Sequence, residues 1–273
     1  MTRRSPHLVA GSVLASACGA AALLPAAWLP HDPLAIDPVG RFADPSWRHP
    51  FGTDALGRDV LSLVAAGARA TLGTALGAVG IAMAVGTVLG VAAATWPRGA
   101  GAVVRRAGAV ALALPSLLVA LVLVAATGPG AATAAVAIGA ALAAGIARVT
   151  SDEAGRILAS DFVAAARTSG AGPIRVAARH LLPNLRASLL VQASGAFAVA
   201  ILGESTLSYL GLGTRPPTPS WGRMLAESQQ YLVVDPLVAV WPGAAIALAI
   251  LGFGLLGDGI RDATDPARAE VAG

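Results

Sequence analysis

The chain predicts an all-α membrane protein with about six transmembrane helices. Three observations carry that fold class. Of 273 residues, 56% are hydrophobic and the mean hydropathy is +0.71, well outside the range of ordinary soluble domains. Apolar runs close to the roughly 20 residues that cross a bilayer recur along the whole chain. The charged residues between the runs are unevenly shared. All nineteen basic residues are arginine, and they crowd into alternate connecting segments.

The first run spans about Leu8 to Leu29, behind Arg3 and Arg4. A basic start, an apolar centre and small residues also describe a secretory signal. The run is long for one, and it ends in Trp28, Leu29 and Pro30, which suits an interfacial anchor. A retained first span is the expectation. The bare arginine pair is weak support for a twin-arginine export signal. Cys18 lies in this run; a single cysteine permits no internal disulfide and excludes a metal site built on several thiolates, so packing is its expected role.

His31 to Arg69 is a long polar stretch carrying five aspartates and four arginines. Pro33, Pro38, Pro45 and Pro50 remove backbone donors, so its first half should be irregular. From Asp54 an amphipathic helix is expected to lie in the interface, because Leu56, Val60, Leu63, Val64 and Gly67 recur at helical spacing. Asp54, Arg58 and Asp59 read as caps and surface charges. Residues 1–69 thus form a first span plus an external loop with an interfacial helix, and residues 70–273 a core of five spans.

The second span runs from about Ala70 to Trp96. Gly73 and Gly77, then Gly86 and Gly90, give small-residue faces for close helix approach. The third runs from about Ala107 to Ala126, with Pro115 inside it as a kink. The fourth, about Ala131 to Val149, is so rich in alanine that it must lean on packed neighbours. The fifth covers about Ala187 to Leu207 and the sixth about Pro236 to Leu256.

Six spans return both termini to one side. With the termini inside, the inner segments hold thirteen arginines and the outer ones, with Arg41, Arg48, Arg58, Arg69, Arg215 and Arg223, hold six. This positive-inside bias favours cytoplasmic termini. It also places the segment 156–186 in the cytoplasm. There Ser160 and Asp161 can start a helix, Gly170 can stop it in a left-handed conformation, and Pro173 can open a second helix. Ile174, Ala177, Ala178 and Leu181 should share one face, with Arg175 and Arg179 off it and Pro183 closing the unit. Such a bent basic pair is either a docking knob for a cytoplasmic partner or a solvated loop.

Residues decide between those readings. The run Ala164-Ala165-Ala166-Arg167-Thr168-Ser169-Gly170, followed by Leu182-Pro183, resembles the coupling-loop signature of ABC importer permeases: EAA, three residues, glycine, nine residues, isoleucine, one residue, LP. Ala165, Ala166, Gly170, Leu182 and Pro183 match. Ala164 stands where the family usually has glutamate, and His180 where it usually has isoleucine. The runs His49 to Ser62, Glu204 to Glu227 and Gly257 to Arg268 resemble the branch serving dipeptide, oligopeptide and nickel importers. The resemblance covers nearly everything from His49 to Arg268. It implies that the loop couples to ATPases through Ala164, Ala165, Ala166, Gly170, Ile174, Arg175, Leu182 and Pro183. It further implies a second homologous permease chain, two cytoplasmic ATPase subunits, an extracytoplasmic substrate-binding protein and a place in the bacterial inner membrane. ATP would be bound by the partners, with no cofactor on this chain.

Pro115 and Glu204 are the remaining candidates, for the pathway or for structure. Glu204 is the acid that falls inside an expected span, and an intramembrane carboxylate is a functional hypothesis by default. It lies about 27 Å along a helix from Arg186, hence near the outer interface, where a wetted structural anchor is the favoured reading over a direct transport role. Trp221 and Tyr231 are placed at headgroup level or against a delivering partner.

Other classes fit poorly. Aromatics are only 4%, so the basic balance comes without the stacking platform of a nucleic-acid binder. The sequence contains no GxxxxGK[ST] phosphate loop, which argues against a fused ATPase, and no histidine and acid pair at membrane depth for a protease; the chain reads as a non-catalytic subunit. An ion-driven carrier would show acids at the midplane or broken helices in matching halves. A membrane scaffold would leave the basic pair unexplained.

Overall fold

The computed structural model describes residues 6–96 and 98–264; Arg3, Arg4 and Arg268 therefore lie outside the described residues. Ten α-helices account for most of them: α1 (Pro6–Leu23), α2 (Val60–Thr95), α3 (Ala100–Ala113), α4 (Ser116–Thr127), α5 (Ala131–Leu158), α6 (Asp161–Thr168), α7 (Pro173–Val176), α8 (Leu182–Tyr209), α9 (Trp221–Ser228) and α10 (Leu237–Thr264). Among the described residues no β-strand forms; Thr53 and Asp59 make an isolated bridge. Five helical segments are long and apolar enough to cross a bilayer, and α3 with α4 supplies a sixth crossing in two pieces.

Close approaches fix the directions. Gly77 sits beside Ala135, Gly86 beside Ala143 and Ile146, and Gly90 beside Ala147 and Thr150, so α2 and α5 run parallel. A parallel pair needs a crossing between its members. That crossing is the bent pair: Arg105 of α3 donates to the Ala93 carbonyl near the end of α2 at 2.8 Å, and beyond α4 the Gly130 N–H reaches the Leu212 carbonyl past the far end of α8 at 3.3 Å. Helix α10 runs antiparallel to α8, with Gly257 beside Ser194 and Phe253 stacked on Phe197 at 4.1 Å. It also runs antiparallel to α1, with Gly252 beside Leu14 and Gly259 beside Leu8. Both ends of the described chain and residues 159–181 therefore lie at one end of the bundle, the terminal end. Residues 29–59 and 210–236 lie at the other, the loop end.

Helix α2 starts about ten residues before the expected second span and ends where that span is expected to end. The interfacial helix expected from Asp54 does not form. Residues 54–59 make turns instead, and Val60 begins a 36-residue helix that continues through Arg69 and Ala70 to Thr95. Asp59 is its N-cap, accepting from the Ser62 N–H at 2.8 Å. At 1.5 Å per residue α2 is about 54 Å long, so it extends well past a hydrocarbon layer of about 30 Å.

Pro115 does more than kink the third span. The residue before a proline is pushed out of the helical region, and Leu114 is extended at φ −93°, ψ 137°. Pro115 itself has ψ 120°. Two consecutive non-helical residues break the span, and the halves meet at 94°.

The main core lies between α2, α5, α8 and α10, with Leu63, Leu72, Val79, Ile138, Ile201, Leu207 and Ile246 buried in it. A smaller core of Ala154, Leu181 and Leu185, backed by Val91 and Ala94, closes the terminal end.

Candidate functional site

Residues 159–181 fold onto the terminal end as two short helices around a tight reversal. Helix α6 ends in a Schellman motif: the Ala171 N–H donates to the Ala166 carbonyl and the Gly170 N–H to the Arg167 carbonyl, both at 3.0 Å. Gly170 carries the left-handed residue, with φ +87°. Nothing lies within 4 Å of where its Cβ would be, so only backbone conformation demands glycine there. Ser160 is the N-cap by position but not by bonding, since its hydroxyl donates to the Ile157 carbonyl at 2.6 Å. Pro173 occupies the first turn of α7 as expected.

Two expectations need correction. Pro183 does not close the unit. A single π-helical turn over Ala177–Leu181 carries α7 directly into α8, with the Leu182 N–H bonding the Ala177 carbonyl. A proline cannot donate to the carbonyl four residues back and clashes with it; the wider turn just before Pro183 lets the helix pass through. The buried face also differs. Val163, Val176 and Leu181 are the buried anchors, whereas Ile174 is 77% exposed. The helix register places Val176 inward, which turns Ile174 and Arg175 outward.

The outward surface therefore combines exposed Phe162, Ala164, Ala165, Ile174 and Leu182 with Arg167, Arg175 and Arg179. Ala166 is half-buried and Pro183 exposed. His180, at the position the coupling signature gives to isoleucine, sets its ring 6.0 Å from that of Phe162 and so still makes an apolar-type contact. Asn184 donates to the His180 carbonyl at 2.6 Å across the same turn.

Glu204 lies at the loop end of α8 and is fully buried, not wetted. Ser208 donates to its Oε1 at 2.6 Å, and the Thr214 hydroxyl reaches the same oxygen at 3.4 Å. Ser208 in turn accepts from the Thr214 N–H at 3.1 Å. The carboxylate thus ties the end of α8 to the loop that follows. Pro115 stands apart from it, at the break between α3 and α4.

Asp54 and Arg58, expected as a cap and a surface charge, join Glu227 and Arg223 in a relay at the loop end. Asp54 accepts from the Leu56 and Arg58 N–H groups at 2.8 and 2.9 Å and pairs with Arg58 Nε at 2.6 Å. Arg58 Nη2 reaches Glu227 at 2.9 Å, and Arg223 Nε reaches the other Glu227 oxygen at 2.7 Å. Asp59 is a cap as expected, but it and Asp54 are buried rather than on the surface. Burial alone would push the Glu227 carboxyl up, but the Arg223 and Arg58 hydrogen bonds and charges outweigh it and hold it below its ordinary value. The i, i+4 spacing of Asp54 with Arg58 and of Arg223 with Glu227 was the legible signal. The link between the two pairs was not. Trp221 is buried, donating to the Val64 carbonyl at 2.8 Å.

Comparison with known proteins gives this arrangement its context. The family described as binding-protein-dependent transport system inner membrane component matches residues 86–270. The chain is 42% identical over 241 residues to the di/tripeptide transport system permease protein DppC of Pseudomonas aeruginosa, covering 84% of this chain and 80% of that one. It is 38% identical to a putative peptide transport system permease protein of Brucella suis, over 100% of this chain and 91% of the relative. A glutathione transport system permease protein, GsiD of Escherichia coli, shares 39% identity over 81% of this chain and 73% of its own length. Helical crossings, family match and relatives agree, and the chain belongs to the family of inner-membrane components of binding-protein-dependent transport systems, as a multi-pass permease subunit of an ABC importer.

Proposed function

We propose that this permease carries dipeptides, oligopeptides or a related small solute across the bacterial inner membrane. Both termini and residues 156–186 face the cytoplasm. The chain pairs with a second homologous permease to form the path, and two ATPase subunits dock on the knob of α6 and α7. Those partners hold and hydrolyse ATP; this chain is non-catalytic and binds no ATP itself. A substrate-binding protein delivers cargo at the loop end, where Trp47 and Val39 stand fully in solvent.

The observation that carries the reading is the two-sided knob. Val163, Val176 and Leu181 bolt it to the bundle, and Ile174 and the arginines are presented outward. A merely solvated loop has no need of a bolted inner face and an exposed apolar outer one. The peptide cargo follows the names of the relatives. Glu204 and Pro115 serve structure in this reading: one fastens the outer loop, the other bends the third span against the neighbouring permease.

Gly170→Asp tests the docking assignment, with Gly170→Asn as its control. Both residues tolerate positive φ better than others, and only one adds charge to the basic face. Gly170→Asp should insert and pair with the sister permease normally. Recovery of the ATPases and uptake should fall about tenfold, the equivalent of ~1.4 kcal/mol of docking energy. Gly170→Asn should be mild, and Arg175→Glu intermediate. Wild-type co-purification and uptake in both Gly170→Asp and Arg175→Glu would reduce the stretch to a solvated loop.

A further inference from the structure

Three ligating atoms converge at the start of α2, away from the knob. His31, His49 and Asp59 each offer one ligand atom, and the three atoms lie within 4.8 Å of one another. Asp59 divides its carboxylate between two tasks. Oδ2 caps α2 through the Ser62 N–H at 2.8 Å, which leaves Oδ1 facing the histidines. His49 Nδ1 is 2.9 Å from that oxygen and His31 Nδ1 is 3.8 Å from it. The two imidazoles stack at 4.5 Å with planes 28° apart.

Each ligand is held by its own backbone. The His31 N–H donates to the Ser62 hydroxyl at 3.2 Å. The His49 N–H donates to Ser46 Oγ at 3.1 Å, and the His49 carbonyl accepts from Ser46 and Gly52 at 2.9 Å each. The Val60 N–H reaches the Gly52 carbonyl at 3.1 Å, beside the bridge between Thr53 and Asp59. The cluster is thus positioned before anything binds.

A histidine–aspartate pair accounts for only half of it. His31 Nδ1 is shielded from solvent and has no hydrogen-bond partner. A proton on that nitrogen would find its acceptor at 3.8 Å, too far for a hydrogen bond. A lone pair there would face the lone pairs of Asp59 with no donor between. A cation among the three atoms satisfies all of them. Tetrahedral zinc with nitrogen and oxygen ligands sets neighbouring ligand atoms about 3.3 Å apart. The two separations to Asp59 Oδ1, 2.9 and 3.8 Å, straddle that value.

We propose that His31, His49 and Asp59 bind a divalent transition cation of the zinc class. Imidazole and carboxylate suit such ions better than magnesium or calcium, which take oxygen donors. Three protein ligands leave a fourth position for water. The ion clips the irregular loop 29–59 to the first turn of α2.

The test uses the full permease in its complex, purified through a tag without histidine, stripped with EDTA and desalted. Zinc titration calorimetry is run on the wild type, His31→Ala, His49→Ala and, as a control at the terminal end, His7→Ala. Losing an outer-shell partner already costs about 10–100-fold in metal affinity, so His31→Ala and His49→Ala should lose at least that much. Wild type and His7→Ala should bind alike. Cobalt(II) should give the visible absorption of a tetrahedral nitrogen and oxygen site in the wild type alone of the first three. If a variant fails to assemble, protection of the wild type decides. Zinc should shield His31 and His49, and not His7, from diethyl pyrocarbonate as read by peptide mass spectrometry. Zinc affinity equal in wild type and His31→Ala, no binding by wild type, or no protection overturns the site.

Discussion

Single residues here act by closing accounts at the ends of helices. Arg69 is one: it donates to the Ala22 and Leu24 carbonyls at 3.2 and 2.7 Å, satisfying free acceptors at the end of α1 from a position on α2. Glu227 is another, and it has a pH signature. Its folded-state pKa lies below the ordinary 4.5 because the Arg223 and Arg58 bonds override burial. A lowered carboxylate contributes stability that is present above the unfolded value and lost as pH falls through the folded one. The thermal stability of the purified permease should therefore fall on acidification below about pH 4.5. Glu227→Gln should remove that part of the slope. The cost at neutral pH should be on the order of 1 kcal/mol or less, since the side chain is partly solvated and salt screens it. An unchanged acid slope in Glu227→Gln would place the sensitivity elsewhere.

Helices α2 and α5 approach most closely where a side chain is missing. Against α5, a Cβ at Gly90 would lie 2.6 Å from the Ala147 carbonyl oxygen, and one at Gly86 2.8 Å from the Ala143 oxygen. At Gly73 nothing lies within 4 Å. The same spacing of glycines thus has two meanings along one helix, and the neighbour decides which. Gly90→Ala must push α5 away and should destabilise by about 1–3 kcal/mol. Gly73→Ala should be neutral or slightly stabilising, because alanine is the better helix former. Unfolding midpoints of the two variants in the same detergent measure the difference. Equal midpoints would mean that the α2–α5 contact yields without cost.

At the scale of the molecule, the break at Pro115 and the parallel packing of α2 and α5 together require six crossings. Both described chain ends therefore share the terminal end with the knob. Cysteine labelling tests which side of the membrane that is. In a Cys18-free background, a membrane-impermeant reagent applied to intact cells should modify cysteines placed at Ser46 and Thr218, both exposed at the loop end. It should spare a cysteine at Ser169, exposed on the knob. Labelling at position 169 would invert the orientation and with it the docking proposal.

The membrane class, the spans and the bent knob were legible in the sequence because each rests on local chemistry. Apolar length sets a crossing, Gly170 can turn where a Cβ resists, and Pro173 can begin a helix where a donor is spare. Tertiary structure decided what local chemistry leaves open. Val176 rather than Ile174 became buried because Leu181 and Ala177, which meet the small core of Ala154 and Leu185, fix how the short helix is turned. Glu204 became a buried fastener because Ser208 and Thr214 curl back over it from the following loop. Asp54 and Arg58 joined Glu227 and Arg223 across 169 residues of chain, and His31 met His49 beside Asp59. Polar side chains distant in sequence pair only after the apolar helices have packed. Spacing along the chain therefore cannot announce them, and the loop end was the least legible part of the protein.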